Sequence, residues 1–341
     1  MENRKKINSW KKLVNIRGMG QVLTVTAGLF ILCVVFGILS SSFYSTRNIG
    51  NLLRQISPII IIGIGQSFVL ITGNIDLSIG SIVGMSCMIS ATLMTKGVNP
   101  WIAVIITIII CIGAGIVNGV LVAKCKLPPF IATLGTMTIG RGLAQIVNNN
   151  YNTDAIGVGA TGFRDVFYYG KSFGLYNTIL IAFILFLAFN FLLSKTRTGR
   201  HIYAVGSNID AAKLSGVNTD RTTIIVYIIS AVCAGTVGLI TSATAGMGTM
   251  DSGNMYELYA VAASVIGGVS TLGGQGLLIG TVVGASIWGV LQNGLQFAGA
   301  PVAMRNIIIG TIVVICVLLD VVVRIRSPKK IVNKVVSNKS V

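Results

Sequence analysis

From Pro100 to Ala123 the chain runs without a charged side chain. Roughly 20 such residues in one helix span the hydrocarbon core of a bilayer. About ten apolar runs approach that length: Gly20–Ser40, Ile56–Thr72, Leu77–Thr95, Pro100–Ala123, Pro128–Val147, Leu175–Ser194, Thr222–Ala245, Leu258–Leu272, Leu277–Phe297 and Val302–Val323. Only 10% of the 341 residues are charged and 53% are hydrophobic. A soluble domain has about 25% charged residues to cover its surface. The sequence therefore predicts an all-α integral membrane protein with about ten transmembrane helices. Its 41 glycines fit close helix packing in lipid and helices broken by Gly-rich stretches.

The formal net charge is +17, but the basic residues collect in three places. The first is residues 1–18, with Arg4, Lys5, Lys6, Lys11, Lys12 and Arg17; the second is the loop 195–221; the third is residues 324–341, with Arg324, Arg326, Lys329, Lys330, Lys334 and Lys339. Basic loops stay on the cytoplasmic side. Both ends and the 195–221 loop are thus expected inside, around a permease domain at 19–323. The loop 148–174 and the acidic stretch Met247–Glu257 are expected outside. A basic balance distributed in this way argues against nucleic acid as a partner. The run Met19–Leu39 lacks an obvious cleavage site and reads as a retained span.

Little catalytic chemistry is on offer. The six cysteines form no CxxC pair and sit mostly in apolar runs, as small buried side chains do. His201 is the only histidine, which excludes a His-based metal site or dyad. The Gly170–Ser172 "GKS" has Asp165 where a phosphate-binding loop needs its first glycine. No cofactor or metal is expected. Arg141 and Arg305 fall inside the fifth and tenth runs, toward the outer side, where long side chains can snorkel.

Asp76 lies in a polar break between two runs and can cap the following helix or serve a proton path. Gln66, Asn118, Gln292, Asn293 and Gln296 are amides in apolar helices. Amides suit a hydroxyl-rich neutral substrate and equally suit helix-to-helix hydrogen bonds. Gln66, Asn74, Asp76, Asn118, Gln292 and Asn293 are the candidate translocation-path residues. Gly80/Gly84, Gly115/Gly119 and Gly276/Gly280/Gly284 recur at four-residue steps, as helix-packing faces do. "LITGNIDLSIGSIVG" and "VIGGVSTLGGQGLLIG" echo each other as apolar run, Gly/polar break and Gly-stepped helix. Broken helices of this kind line substrate paths in transporters.

One polar insert interrupts the apolar pattern. In "TGRHIYAVGSNIDAAKLSGVN" (Thr198–Asn218), Asn208 or Ser207 can cap a short helix and Gly216 can end it. Ala211 and Ala212 favour helix and leave a low profile. The insert offers no long apolar face to its own bundle, which suits it to a partner's groove. The pattern acidic–Ala–Ala–three residues–Gly resembles the cytoplasmic coupling loop of ABC importer permeases, with Asp210 where glutamate is usual. "TGNIDLSIGSIVG" (Thr72–Gly84), "LPPFIATLGTMTIGRGLA" (Leu127–Ala144) and "YELYAVAASVIGGVSTLGGQGLLIGTVVGA" (Tyr256–Ala285) occur in order around it. Together they resemble the ribose/xylose-type sugar permease family, with Asn74 where that family often has glycine.

The resemblance implies a permease subunit working as a pair. Cytoplasmic ABC ATPase subunits would drive it, and an extracytoplasmic sugar-binding protein would deliver a monosaccharide to it. Asp210, Ala211, Ala212 and Gly216 would be the coupling contacts, supported by Arg200, Tyr203 and Asn208. The chain itself would not be an enzyme. The alternatives are another small neutral solute (nucleoside, signalling furanose, branched amino acid) or an ion-coupled secondary transporter. The shortage of membrane carboxylates argues against the last.

Overall fold

The computed structural model describes residues 19–305, 307, 308, 310–312, 314, 315 and 318. The basic ends 1–18 and 324–341, Cys316 and the close of the expected tenth span lie outside these residues. The first half contains α1 (Met19–Leu39), α2 (Thr46–Ile71), α3 (Ile79–Thr95), α4 (Pro100–Ala123) and α5 (Pro129–Ile146). The segment after α5 holds a helical turn (Thr161–Arg164), a π-turn (Asp165–Tyr169) and a small antiparallel ribbon. In the ribbon, β1 (Lys171–Ser172) pairs with β2 (Leu175–Tyr176). Then come α6 (Asn177–Lys195), α7 (Arg197–Ser207), α8 (Ile209–Leu214), α9 (Thr219–Ala245), α10 (Tyr256–Ile266) and α11 (Leu278–Phe297). The described residues from Val302 to Leu318 are helical.

Six helices among the described residues are long and apolar enough to cross a membrane: α1, α2, α4, α6, α9 and α11. Burial separates centre from rim. In α2 and α9, 72% of the apolar window is buried, against 11% in α1 and 17% in α6. α9 packs on α4, α3 and α2, and α2 packs in turn on α10, α11 and α6. The outer helices turn Phe30, Ile38, Ile105, Ile109 and Phe191 outward, the arrangement a lipid-facing rim requires.

Small side chains let the central helices approach. A Cβ on Gly115 would stand 2.7 Å from the Tyr227 carbonyl oxygen, and one on Gly119 2.7 Å from the Ile224 Cα. These two glycines set the α4–α9 contact. Gly280 and Gly284 do the same for α11 against Gly267 and Ala263 of the facing segment. Buried hydroxyls add cross-links. Ser67 bonds Ser264 at 3.0 Å and Thr281 at 2.7 Å, joining α2 to α10 and α11. Each such bond contributes about 0.6 kcal/mol in a membrane, up to about 1.7.

Several expectations are corrected. The second span starts at Thr46 and not near Ile56: Ser45 caps the helix by accepting from the Asn48 N–H at 3.3 Å. Arg54 is accommodated over the rings of Tyr176 (4.1 Å) and Tyr168 (4.9 Å). The run Leu258–Leu272 is not one helix. α10 ends at Ile266, and its 11 residues rise only about 16 Å. Gly276 lies outside α11, with φ +153°, and shares no helical face with Gly280 and Gly284. Arg141 does not snorkel: its Nη1 and Nη2 donate to the carbonyls of Ser252 (2.6 Å) and Gly253 (2.7 Å). It is thereby tied to the loop between α9 and α10. Cys125 is exposed, whereas Cys87, Cys111 and Cys233 are buried.

Candidate functional site

The polar insert forms α7 and α8, and its caps follow from the sequence. The Thr196 hydroxyl accepts from the Gly199 N–H at 3.3 Å, opening α7. Asn208 closes α7 and opens α8, its Oδ1 accepting from the Ala211 N–H at 2.8 Å. Asp210 sits in the first turn of α8 and Lys213 in its last, both complementing the helix dipole. Gly216 has φ +80°, a conformation that costs an L-residue about 1–2 kcal/mol. Asn218 then caps α9 through the Arg221 N–H at 2.8 Å.

Contrary to expectation, the insert does bury a face. Gly199, Ile202 and Val205 line one side of α7, and Ile202 is fully buried. Ala212 is also buried, so α8 presents Ile209, Asp210, Ala211, Lys213 and Leu214 outward. Leu214 is 90% exposed and Ile209 52%. Two bare aliphatic side chains on a six-residue helix are unusual against water and suit a groove. Arg200 is exposed, with Nη1 donating to the Thr196 carbonyl at 3.3 Å.

The inner face of α7 rests on both polar breaks of the bundle. The Tyr203 hydroxyl donates to the Gly276 carbonyl at 2.7 Å. Burial pushes its phenol up to about 12, so it stays a donor throughout the physiological range. At Gly206 the backbones meet directly: a Cβ there would collide with the Ile71 oxygen and stand 2.6 Å from the Gly274 nitrogen. The Gly274 N–H donates to that Ile71 oxygen at 2.8 Å. The two segments that echo each other in sequence are thus stitched together under α7. Gly206 lies inside the motif that carries the family resemblance, yet sequence reasoning gave it no role. The need for a missing side chain is visible only once the three backbones are placed.

Above this contact lies a buried polar chain. Asp76 is fully buried. Its Oδ1 accepts from the Ser78 N–H (2.9 Å) and hydroxyl (2.6 Å), and its Oδ2 from the Ser230 hydroxyl (2.7 Å). Asn118 Nδ2 donates to the Ser78 oxygen at 2.7 Å, and Thr136 donates to Asn118 Oδ1 at 2.6 Å. Tyr227 donates to the Ile75 carbonyl at 3.0 Å. One chain therefore joins α9, the 72–78 break, α4 and α5. Asn74 is half-buried and donates to Thr72 at 2.9 Å.

The remaining amides stand apart. Asn293 and Asn48 donate to each other at 3.2 and 3.0 Å, linking α11 to α2. Gln292 is half-buried beside a cavity near the other end of the bundle. Gln66 is fully buried, with no hydrogen-bond partner for either amide atom among the described residues. Of the six candidate path residues, Asp76 and Asn118 share one network, Asn293 makes a cross-link, and Asn74, Gln66 and Gln292 stand apart from both.

The profile of the family described as "Branched-chain amino acid transport system / permease component" matches residues 48–317. The ribose import permease of Bacillus subtilis (strain 168) is 36% identical over 310 residues, covering 91% of this chain and 96% of that one. The D-allose transport system permease of Escherichia coli (strain K12) is 36% identical over 295 residues, 86% of this chain and 89% of that one. The galactose/methyl galactoside import permease of the same strain is 35% identical over 307 residues, 86% and 91% of the two chains. No solved structure matches.

Proposed function

The chain belongs to the family of branched-chain amino acid transport system permease components, and we propose that within it this protein is the membrane subunit of an ATP-binding cassette importer carrying a monosaccharide. The relatives' names favour a sugar over an amino acid, since ribose, allose and galactose are what those permeases import. The carrying observation is the seating of α7–α8. A short helix with exposed Ile209 and Leu214 is braced from behind, through Gly206 and Tyr203, on both polar breaks.

In this reading α8 sits in a groove of a cytoplasmic ATPase subunit. Closure of two ATPases on ATP displaces α8, and α7 transmits that displacement to the breaks at 72–78 and 267–277. The protein works as a homodimer fed by an extracytoplasmic sugar-binding protein. Ten crossings, six before the 195–221 loop and four after it, keep that loop and both basic ends inside and leave 148–174 outside. α3, α5, α10 continued by the broken stretch 267–277, and the helical residues from Val302 supply the crossings beyond the six long helices. ATP hydrolysis belongs to the partner.

Reconstitution in liposomes with the partner ATPase and binding protein tests this. ATP-dependent uptake of ribose, allose or galactose is expected, with no ATP hydrolysis by the permease alone. Uptake without any ATPase, driven by a proton gradient and lost in Asp76→Asn, contradicts it.

A further inference from the structure

The cavity beside Gln292 lies at the end of the bundle opposite α7–α8, between α2, the C-terminal end of α9, α10 and α11. Its volume is about 370 Å³, at the small end of the roughly 300–1,000 Å³ typical of small-molecule sites. One wall is a run of aromatic rings. Tyr256 and Tyr259 have centroids 5.7 Å apart, and Tyr259 and Trp288 4.9 Å apart. Tyr168, from the segment between α5 and α6, also lines it. Set among the rings are Gln292, whose amide donates and accepts hydrogen bonds, and Arg54, which only donates.

Two features distinguish this wall from ordinary packing. Trp288 is 1% exposed, yet its indole N–H has no hydrogen-bond partner among the described residues, and neither has Arg54 Nε. An orphaned buried donor costs about 1–3 kcal/mol, and both belong to residues that line this cavity. The lining also contains no carboxylate. Its cation, Arg54, lies over Tyr176 and Tyr168 and donates to Asn51 at 2.6 Å. Its charge thus rests on ring faces and a neutral amide.

Flat apolar rings take the C–H face of a saturated ring, while amide and indole N–H groups take its hydroxyls. A lipid tail would leave those polar groups unpaired, and a cation would find no carboxylate in the lining. We propose that this cavity is a transfer site of the membrane subunit for one neutral polyhydroxylated ring, a single pyranose or furanose. Trp288, Tyr259 and Gln292 are its principal contacts. The choice of sugars as ligands rests on the function proposed above; the site itself rests on the cavity.

Thr244 lines the same cavity and is half-buried. The test is the rate of maleimide labelling of Thr244→Cys in the full chain in lipid nanodiscs, with Cys33, Cys125 and Cys316 replaced by Ser. D-ribose, D-allose and D-galactose are added singly up to about 0.1 M, because a transfer site must release its ligand and binds it near the millimolar range. At least one sugar should slow labelling several-fold, while linear sorbitol and anionic gluconate do not. Trp288→Phe, which removes the N–H and keeps a ring, should raise the half-protecting concentration about tenfold. Gln292→Leu should act in the same direction, and serves alone where Trp288→Phe does not insert. No protection by any of the three sugars, equal protection by sorbitol, or unchanged protection in both variants overturns the site. Failure of the functional reading appears separately, as absence of ATP-driven uptake by the wild-type assembly.

Discussion

The two polar breaks resemble each other in sequence and differ in how they are held. The break at 72–78 is built from side chains: Asp76 collects three donors, and Asn118 and Thr136 extend the chain across two more helices. At the break at 267–277 backbone groups make close links. Ser270 N–H donates to the Gln275 carbonyl at 3.0 Å, Gly274 N–H reaches across to Ile71, and Gly273 and Gly274 take φ of +86° and +72°. The first break is specified by what its side chains supply, the second by side chains it lacks. Polar deletion should therefore damage one, and Cβ addition the other. Gly206, which touches both, should be the most sensitive position of all.

Gly206→Val gives the largest expected effect. A branched side chain has no room between the Ile71 oxygen and Gly274, and overpacking against backbone costs roughly 3 kcal/mol or more. Coupled uptake should vanish, with accelerated proteolysis in the 195–221 loop as the structural readout. Normal uptake in this variant would break the contrast. Asp76→Ala should follow, at about 3 kcal/mol in thermal unfolding, because three donors lose their acceptor in a buried site. The matched deletion in the other break, Ser270→Ala, removes a single acceptor, for the Leu272 N–H at 3.1 Å, and should cost about 1 kcal/mol. Equal losses at the two sites would show that the breaks are held alike.

Gly216→Val strains a left-handed residue on the surface by about 1–2 kcal/mol. It should leave the protein inserted while ATP hydrolysis runs without uptake, read as the ratio of the two rates. Tyr203→Phe is the mildest, at about 1 kcal/mol for the lost bond to Gly276. Its pH signature follows from the raised phenol. The tyrosine's contribution is fully present below its ordinary value of 10.0 and is lost only as pH rises through about 12. The wild-type and Phe variants should therefore differ by a constant amount from pH 6 to 9, measured as the difference in Tm.

Much of this arrangement was readable from residue order alone. The α4 boundaries Pro100–Ala123 coincide with a charge-free run, because nothing polar competes with a helix in lipid. The caps at Asn208 and the turn at Gly216 were visible as local chemistry. Legibility failed wherever a distant group changed the local rule. Arg47 and Arg54 hid the first turns of α2, since the aromatic rings that accommodate Arg54 lie more than a hundred residues away. Arg141 was assigned to the interface because the carbonyls that hold it belong to a later loop. Within the candidate site, Asp76, Ser78 and Asn118 are brought together by helix packing that periodicity does not encode. The aromatic wall at Trp288 has contributions from separate elements: Tyr256 and Tyr259 open the motif Tyr256–Ala285, but that motif does not point to Tyr168 or Trp288.

The central claim is that α8 is a lever pushed from the cytoplasm and braced on both breaks. The direct test is Lys213→Cys, labelled with a membrane-impermeant maleimide in right-side-out and inside-out vesicles while ATPase stimulation is followed. Lys213 is exposed, so labelling should occur only in inside-out vesicles and should abolish stimulation. Labelling from the outer face, or full stimulation after complete labelling, would contradict the account.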